Sequence, residues 1–317
     1  MKKLFFYYSL FLLSTFVIVA CGSDDSSSDA PVSENNKTAP VSENNKTTTG
    51  IFQINAGGTK VCFAPGNMQA TYDGSTWNWA FAANQWDYIG DQGANSFING
   101  NGTVSVNGTV DLFGWVGETS TWTGVAKYGI SNTKEVNSRY TYGNIATETL
   151  KSDWGNTISD GYKWRTLSWS EWTYVFNTRN SGSTVNSTSN ARYTLATINA
   201  DDRAVKGIIL FPDGITLKDG DAAAWGKIND TSLNTLCTSA QWVDLADKGC
   251  VFLPAAGYRF GTSVRDDDNG CYYWSSSSHT TDVYSAYAVS FESYYLNPAR
   301  SYSRPYGFSV RLVREVE

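Results

Sequence analysis

One histidine and two methionines stand in a chain of 317 residues, and only 17% of its residues are charged. With His279 alone, multi-histidine metal sites are excluded. His279 also sits among Ser and Thr without the nucleophile-elbow motif of a hydrolase, so a solvent-facing loop residue is expected. Lys and Arg number 24 against 30 Asp and Glu, for a formal net charge of -6. No Lys/Arg cluster interrupts that balance, and nucleic-acid binding needs one, so no nucleic-acid partner is expected. What the chain does hold is 28 Gly, 12 Trp and 19 Tyr, the composition of a loop-rich globular body with substantial strand. Its core is ample, so neither a metal nor a disulfide is required for stability.

The chain opens with Met1-Lys2-Lys3 and an apolar run from Leu4 to Ala20, the layout of a secretory signal peptide over residues 1–20. The run sits at the lower limit for crossing a bilayer. The Ala20-Cys21 junction resembles the bacterial lipobox, in which cleavage leaves a cysteine that becomes diacylated. The expected anchor is therefore a lipid on Cys21, with the membrane as a partner through that lipid. Ser23, Asp24 and Asp25 resemble the acidic export tag of Bacteroidetes surface lipoproteins, which implies an outer-membrane protein facing the cell exterior. Residues 21–49 are polar and hold a perfect tandem repeat, Ala30 to Thr38 and Ala39 to Thr47. Low hydrophobicity with spaced prolines cannot offset chain entropy, so a flexible tether is expected.

The folded part is expected over residues 50–317, its N-terminal stretch 51–159 being the less clearly patterned. Short strands are read at Ile51 to Asn55, Gly58 to Phe63, Gln69 to Tyr72 and Thr76 to Phe81, with a loop from Asp91 to Gly108. Asp111 begins a long irregular aromatic region. Ser168 and Glu171 form a capping box, which starts a helix whose Trp169, Trp172, Val175 and Phe176 share one face. Asn177 to Asn190 reads as loop, Val205 to Phe211 as a buried strand, Ser239 to Lys248 as a second helix and Cys250 to Pro254 as another strand.

The densest signal lies near the C-terminus. From Tyr272 to Phe308, 37 residues hold eleven aromatics and nine serines but no Lys, Gln or Met. Rigid amphipathic rings beside small hydroxyls make a recognition surface, because they supply contact area at low entropic cost. A Tyr-rich antiparallel sheet with ordinary turns is the plainer alternative. Val283 to Phe291 alternates, which points Tyr287, Val289 and Phe291 inward and Tyr284, Ala286 and Ser290 outward. Phe308, Val310 and Leu312 alternate likewise. Between these two strands a loop is expected from about Glu292 to Tyr306. The candidate ligand-binding residues are Ser278, His279, Thr281, Tyr284, Tyr294, Tyr295, Asn297, Arg300, Tyr302, Arg304 and Tyr306. Tyr rings would stack on a sugar face or protein pocket, and the two Arg forks would donate to carboxylate or backbone oxygens.

Four segments carry a family resemblance: Trp164 to Trp172, Phe252-Leu-Pro-Ala-Ala-Gly-Tyr-Arg259, Tyr272-Tyr-Trp-Ser-Ser276 and Gly307-Phe-Ser-Val-Arg311. Together they resemble Bacteroidetes lipoproteins related to the Fibrobacter succinogenes major paralogous domain. These are similar to the formylglycine-generating (sulfatase-modifying) branch of the C-type lectin fold. The resemblance covers residues 160–314 well, and residues 51–159 only through Phe63 to Met68 and Asn84 to Gly90. It implies an α+β fold, loop-rich, with short antiparallel strands and two or more short helices. The same layout resembles the variable proteins of diversity-generating retroelements. There adenine-directed mutagenesis of AAC codons cannot yield Lys, Gln, Met, Trp or Glu, and between Ser277 and Tyr306 only Glu292 breaks that set.

The resemblance is to a scaffold. Formylglycine-generating enzymes use paired active-site cysteines, whereas Cys271 has no partner near it in sequence, so no enzymatic activity and no catalytic cofactor are expected. Asp266-Asp-Asp-Asn-Gly270 could help hold a structural Ca²⁺ at Asp266 and Asp268. The segment lacks a downstream bidentate Glu, which favours a plain acidic turn. The Glu-Pro-Asn and Trp-Asn-Asp signatures of calcium-dependent sugar-binding lectins are absent too. Cys62, Cys237, Cys250 and Cys271 allow three disulfide pairings or none. The expected function is a lipid-anchored, surface-displayed binder of a protein or glycan. The alternatives are a structural or fimbria-associated subunit and, more remotely, a divergent sulfatase-modifying-type enzyme.

Overall fold

The computed structural model describes residues 48–91, 93–96, 107–133, 141–200, 203–267, 269–292 and 295–316. The expected signal peptide, with Cys21, and nearly all of the expected tether lie outside that set. Thr48, just before the expected start of the folded part, is buried, and its hydroxyl donates to the Phe63 carbonyl at 2.5 Å.

Among the described residues, short strands form several small sheets with two short α-helices, an α+β or mostly β architecture rich in loops. Lys60–Phe63 pairs with Phe52–Gln53 on one side and with Leu312–Val316 on the other, and Arg165–Thr166 completes that antiparallel sheet. A second sheet runs in the order Thr235–Thr238, Tyr193–Asn199, Ala204–Leu210, Val251–Pro254. Its first pair is parallel and the others antiparallel. Helix α1, Trp169–Thr173, starts at the expected capping box, in which Ser168 Oγ accepts from the Glu171 N–H and Glu171 accepts from the Ser168 N–H. It runs into a wider turn over Tyr174–Thr178. Trp172, Val175 and Phe176 are buried as their spacing predicts, but Trp169 is 37% exposed. Helix α2, Ser239–Asp247, repeats the device with Thr238 and Gln241. The segment Asn177 to Asn190, read as loop, contains a tight hairpin of Thr184–Val185 with Thr188–Ser189. Asn186 and Ser187 between them both have positive φ, the geometry of a two-residue hairpin turn.

The described part of the Tyr/Ser-rich segment lies between two cores. Gly270–Ser278, Ser285–Glu292 and Tyr295–Ser303 form an antiparallel meander. One face, Cys271, Tyr273, Val289 and Phe291, packs into a core with Trp172, Val175, Phe176 and Phe63. The other face, Tyr272, Trp274, Ala286 and Ala288, packs into a second core with Trp115, Trp154 and Phe308. Alternation therefore separates one core from another, not inside from outside. Ala286 and Ser290, expected to point outward, are fully buried, while Tyr287, expected inward, is half-buried.

Four fully buried arginines hold the irregular connections in place. Arg311 donates to Asn67 Oδ1 at 2.9 Å and to the carbonyls of Ala64, Gln85 and Phe252 at 3.2, 3.3 and 2.8 Å. Arg259 binds the carbonyls of Leu112, Ser131 and Gly261. Arg179 pairs with Asp213 at 2.8 Å and lies 5.0 Å above the Phe52 ring. Burial pulls these three guanidinium groups down to about 10, which leaves them charged at neutral pH. A planar fork of N–H donors suits loops, because loops present carbonyls to which no strand N–H donates.

Candidate ligand-binding surface

The edge strand Tyr295–Ser303 replaces the loop expected between Glu292 and Tyr306. A register shift between Ala288 and Ser290 accommodates Asn297-Pro298-Ala299, and Asn297 Oδ1 accepts from the Ala299 N–H at 2.9 Å. Pro298 is tolerated because an edge strand need not use every backbone N–H. Within this strand only Pro298 is buried, whereas its neighbour Ser285–Glu292 is buried at every position but Tyr287 and Glu292.

The candidate residues divide three ways. Thr281 and Tyr295 are exposed, Tyr295 at 61%. His279, Tyr284, Asn297, Arg300, Tyr302 and Tyr306 are half-buried. Ser278 and Arg304 are buried, which corrects their assignment to the surface. Arg304 ion-pairs with buried Glu148 and donates to the carbonyls of Tyr142, Ile145 and Ser285 at 3.1, 3.3 and 3.3 Å. Its guanidinium also lies 4.7 Å above the Trp115 ring. The pair is tightly enclosed: a Cβ at Gly117 would fall 1.9 Å from Glu148 Oε1, and one at Gly143 would fall 2.2 Å from it. Arg304 thus fixes the irregular segment around residues 142–148 to the meander and is unavailable to a ligand. Tyr294 lies outside the described residues.

On one face of the meander, Trp169 stacks over Tyr287 at 5.3 Å, and Tyr287 over His279 at 5.0 Å. His279 Nδ1 accepts from the backbone N–H groups of Thr281 and Asp282 at 3.3 and 2.9 Å, so its N–H is on Nε2. Exposed Ser301 pairs across the strands with Tyr287 and shares its face. Trp169 and Tyr287 were not among the sequence candidates. Trp169 is the first helical residue after the cap, where a helix has yet to commit to a buried face.

On the other face, Tyr258, Tyr272, Tyr302, Tyr306 and Phe308 line a cleft of about 200 Å³ with Glu292 at its side. Tyr302 donates to Glu292 at 2.6 Å, and Arg300 donates to the same oxygen at 3.1 Å. The Arg300 guanidinium lies 5.1 Å from the centre of the Tyr302 ring. Burial first, and the Glu292 carboxylate beside it, push the Tyr302 phenol well above its usual range, which keeps it a donor. Tyr302 is anchored from below by edge-on contacts with Phe308 at 5.0 Å and Tyr272 at 5.7 Å.

Cys62, Cys237, Cys250 and Cys271 are all buried and unpaired. Burial raises the thiol of each, and the Cys271 sulfur faces the Leu253 carbonyl at 3.8 Å. Among the described residues no group of three or more His, Cys, Asp or Glu is placed to hold a metal ion, and no helix is long and apolar enough to cross a membrane. Asp266 belongs to the strand Ser263–Asp267, and its side chain, like Asp268 as a whole, lies outside what the structure describes, so the calcium expectation there stays an expectation. Comparison with protein-family models, curated proteins and solved structures finds no match to this chain.

Proposed function

We propose that this chain is a lipid-anchored, surface-displayed binding protein that recognises a protein or glycan through the meander's edge strand and the aromatic row beside it. The observation that carries this reading is the contrast between neighbouring strands. Ser285–Glu292 is locked between two cores, while Tyr295–Ser303 offers Tyr, Ser, Asn and Arg side chains to solvent from that rigid support. Recognition energy concentrates in a few aromatic and Arg anchors, and Tyr295, Arg300, Trp169 and Tyr287 are of that kind. Short antiparallel strands, two short helices and long irregular connections support the finer reading of a C-type-lectin-like scaffold of the formylglycine-generating type. The sealed Cys271 thiol supports a binding role for that scaffold over a catalytic one.

The test is a triple substitution, Trp169→Ser, Tyr295→Ser and Arg300→Ser, which spares Arg304. It should leave the melting temperature within a few degrees of wild type and abolish hits on protein arrays and on arrays of neutral glycans. Hits retained by the folded variant would place the site elsewhere. Assembly of the wild-type chain into regular polymers through the same residues would favour the packing-subunit alternative. Cys21→Ser should release the protein from the membrane fraction, and unchanged partition would remove the lipid anchor from the reading. An adenine-bearing template repeat and a reverse-transcriptase gene beside the coding sequence would identify the edge strand as diversified.

A further inference from the structure

A second cleft, of about 470 Å³, lies beside Arg165–Thr166 and Leu312–Val316, the strands at one side of the terminal sheet. Tyr162, Trp164, Lys163, Arg314 and Val316 line it, together with Arg165 and Glu315. Two of its four charged residues, Arg165 and Glu315, are committed. Arg165 binds Glu171 through two N–H groups at 3.0 and 2.8 Å, and it reaches Glu315 at 3.2 Å. Asp160, next to the cleft, accepts from the indole N–H of Trp164 at 2.9 Å and from the Tyr162 N–H at 3.0 Å.

Two cations in the lining are not committed. Lys163 is exposed and makes no ion pair among the described residues. Arg314 lies 4.2 Å above the Tyr162 ring, yet no carboxylate or carbonyl among the described residues accepts from its side chain. Its Nε is buried without an acceptor. Nε is closed to solvent and so to a ligand, but the two terminal nitrogens of this half-buried side chain, which lines the cleft, also lack an acceptor among the described residues and stay within a ligand's reach. The buried arginines make the contrast plain. Arg179 also has an unpartnered Nε, but its terminal nitrogens reach Asp213 and two carbonyls. Tyr162, 51% exposed, and Val316 add apolar surface beside the two cations.

The geometry points to a binding site for a carboxylated sugar, of the hexuronate class. The carboxylate accepts two hydrogen bonds from the Arg314 fork, which matches it in plane and spacing. Lys163 supplies a second positive charge, and the sugar ring extends past the guanidinium onto the exposed edge of Tyr162 that Arg314 leaves uncovered. Because Arg314 is already held flat by the Tyr162 ring, little side-chain freedom is lost on binding. The site is separate from the edge strand and does not depend on the function proposed for it.

Calorimetric titration of the purified full chain with glucuronate, glucose, acetate and inorganic phosphate tests this. Glucuronate should bind, acetate about tenfold more weakly, and glucose not measurably. Arg314→Lys keeps the charge but removes the fork, and it should weaken glucuronate about tenfold with the melting temperature unchanged. Tyr162→Ala, at an exposed position, should close the gap between glucuronate and acetate, and it should weaken both because it also frees Arg314. Binding of glucose as tight as glucuronate, or glucuronate binding unmoved by Arg314→Lys, would overturn the assignment. Acetate or phosphate binding as well as glucuronate would reduce the site to a bare anion site and overturn the sugar. No binding by any probe would remove the site altogether.

Discussion

Arg300 and Arg304 are four residues apart, each paired with a glutamate, and they do opposite work. Arg304 and Glu148 are sealed from water, enclosed by Gly117 and Gly143, and tie together segments more than 150 residues apart. Arg300 and Glu292 are about two-fifths and one-third exposed and lie within one hairpin. The buried pair is structural because each nitrogen of Arg304 has an acceptor in the protein. The exposed pair is replaceable because water can take either partner's place. Sequence type is therefore a poor guide to role in this segment, and depth decides.

The sharpest way to break that comparison is to remove each arginine in turn. Arg304→Ala strands the Glu148 carboxylate in the interior and should cost about 3–5 kcal/mol, read as a large loss in urea midpoint or failure to accumulate folded protein. Loss of less than 1 kcal/mol would show that Glu148 finds water or another partner. Trp172→Ala should cost a similar 3–5 kcal/mol, since Trp172 sits in the core under the meander with Phe63 and Phe176 at 5.7 and 6.0 Å. That result would confirm that the meander's support, not its surface, carries stability.

A smaller effect separates the two kinds of buried charge. Asp111 is fully buried beside Arg259, accepting from the Ile89 N–H at 2.7 Å and from Asn95 at 2.7 Å. Burial outweighs these bonds and raises its carboxyl from 3.8 to about 6. A carboxyl raised in the folded state stabilises most below its unfolded value of 3.8, and the contribution is lost as pH rises through about 6. Wild type should therefore gain about 1 kcal/mol relative to Asp111→Asn when the pH falls from 7 to 5. Parallel stability profiles for the two proteins would show that Asp111 does not titrate in this range. The smallest effect belongs to the exposed pair: Arg300→Ala should cost less than about 1 kcal/mol, and less still at high salt.

Local signals survived the move from sequence to structure, and signals that depend on depth did not. The Ser168/Glu171 cap was readable because both partners lie within four residues. The strand read at Val205 to Phe211 is present as Ala204–Leu210, and it was readable because the apolar run Ile208 to Phe211 stops at Pro212. Tyr295–Ser303 was taken for a loop because Asn297 and Pro298 are turn formers, and nothing local announces that an edge strand with a register shift will absorb them. The outward assignment of Ala286 failed because period-2 reasoning assumes one wet face, and this meander has a core on each side; Tyr287 keeps to the face of Val289 and Phe291 but lies beside exposed Trp169, outside the core. Arg304 was misplaced for a different reason: its partner Glu148 lies 156 residues away, in a stretch with no regular pattern.

The four sealed thiols give this protein a built-in clock. Cys62, Cys237, Cys250 and Cys271 come from different sheets and segments, and none reaches solvent in the folded state. An alkylating reagent can then label them only when the surrounding structure opens, so each mass increment dates an opening event. Labelling of all four in step would mean that the molecule opens as one unit. Early labelling of Cys62 alone would mean that the terminal sheet comes away first, while the meander still holds its shape.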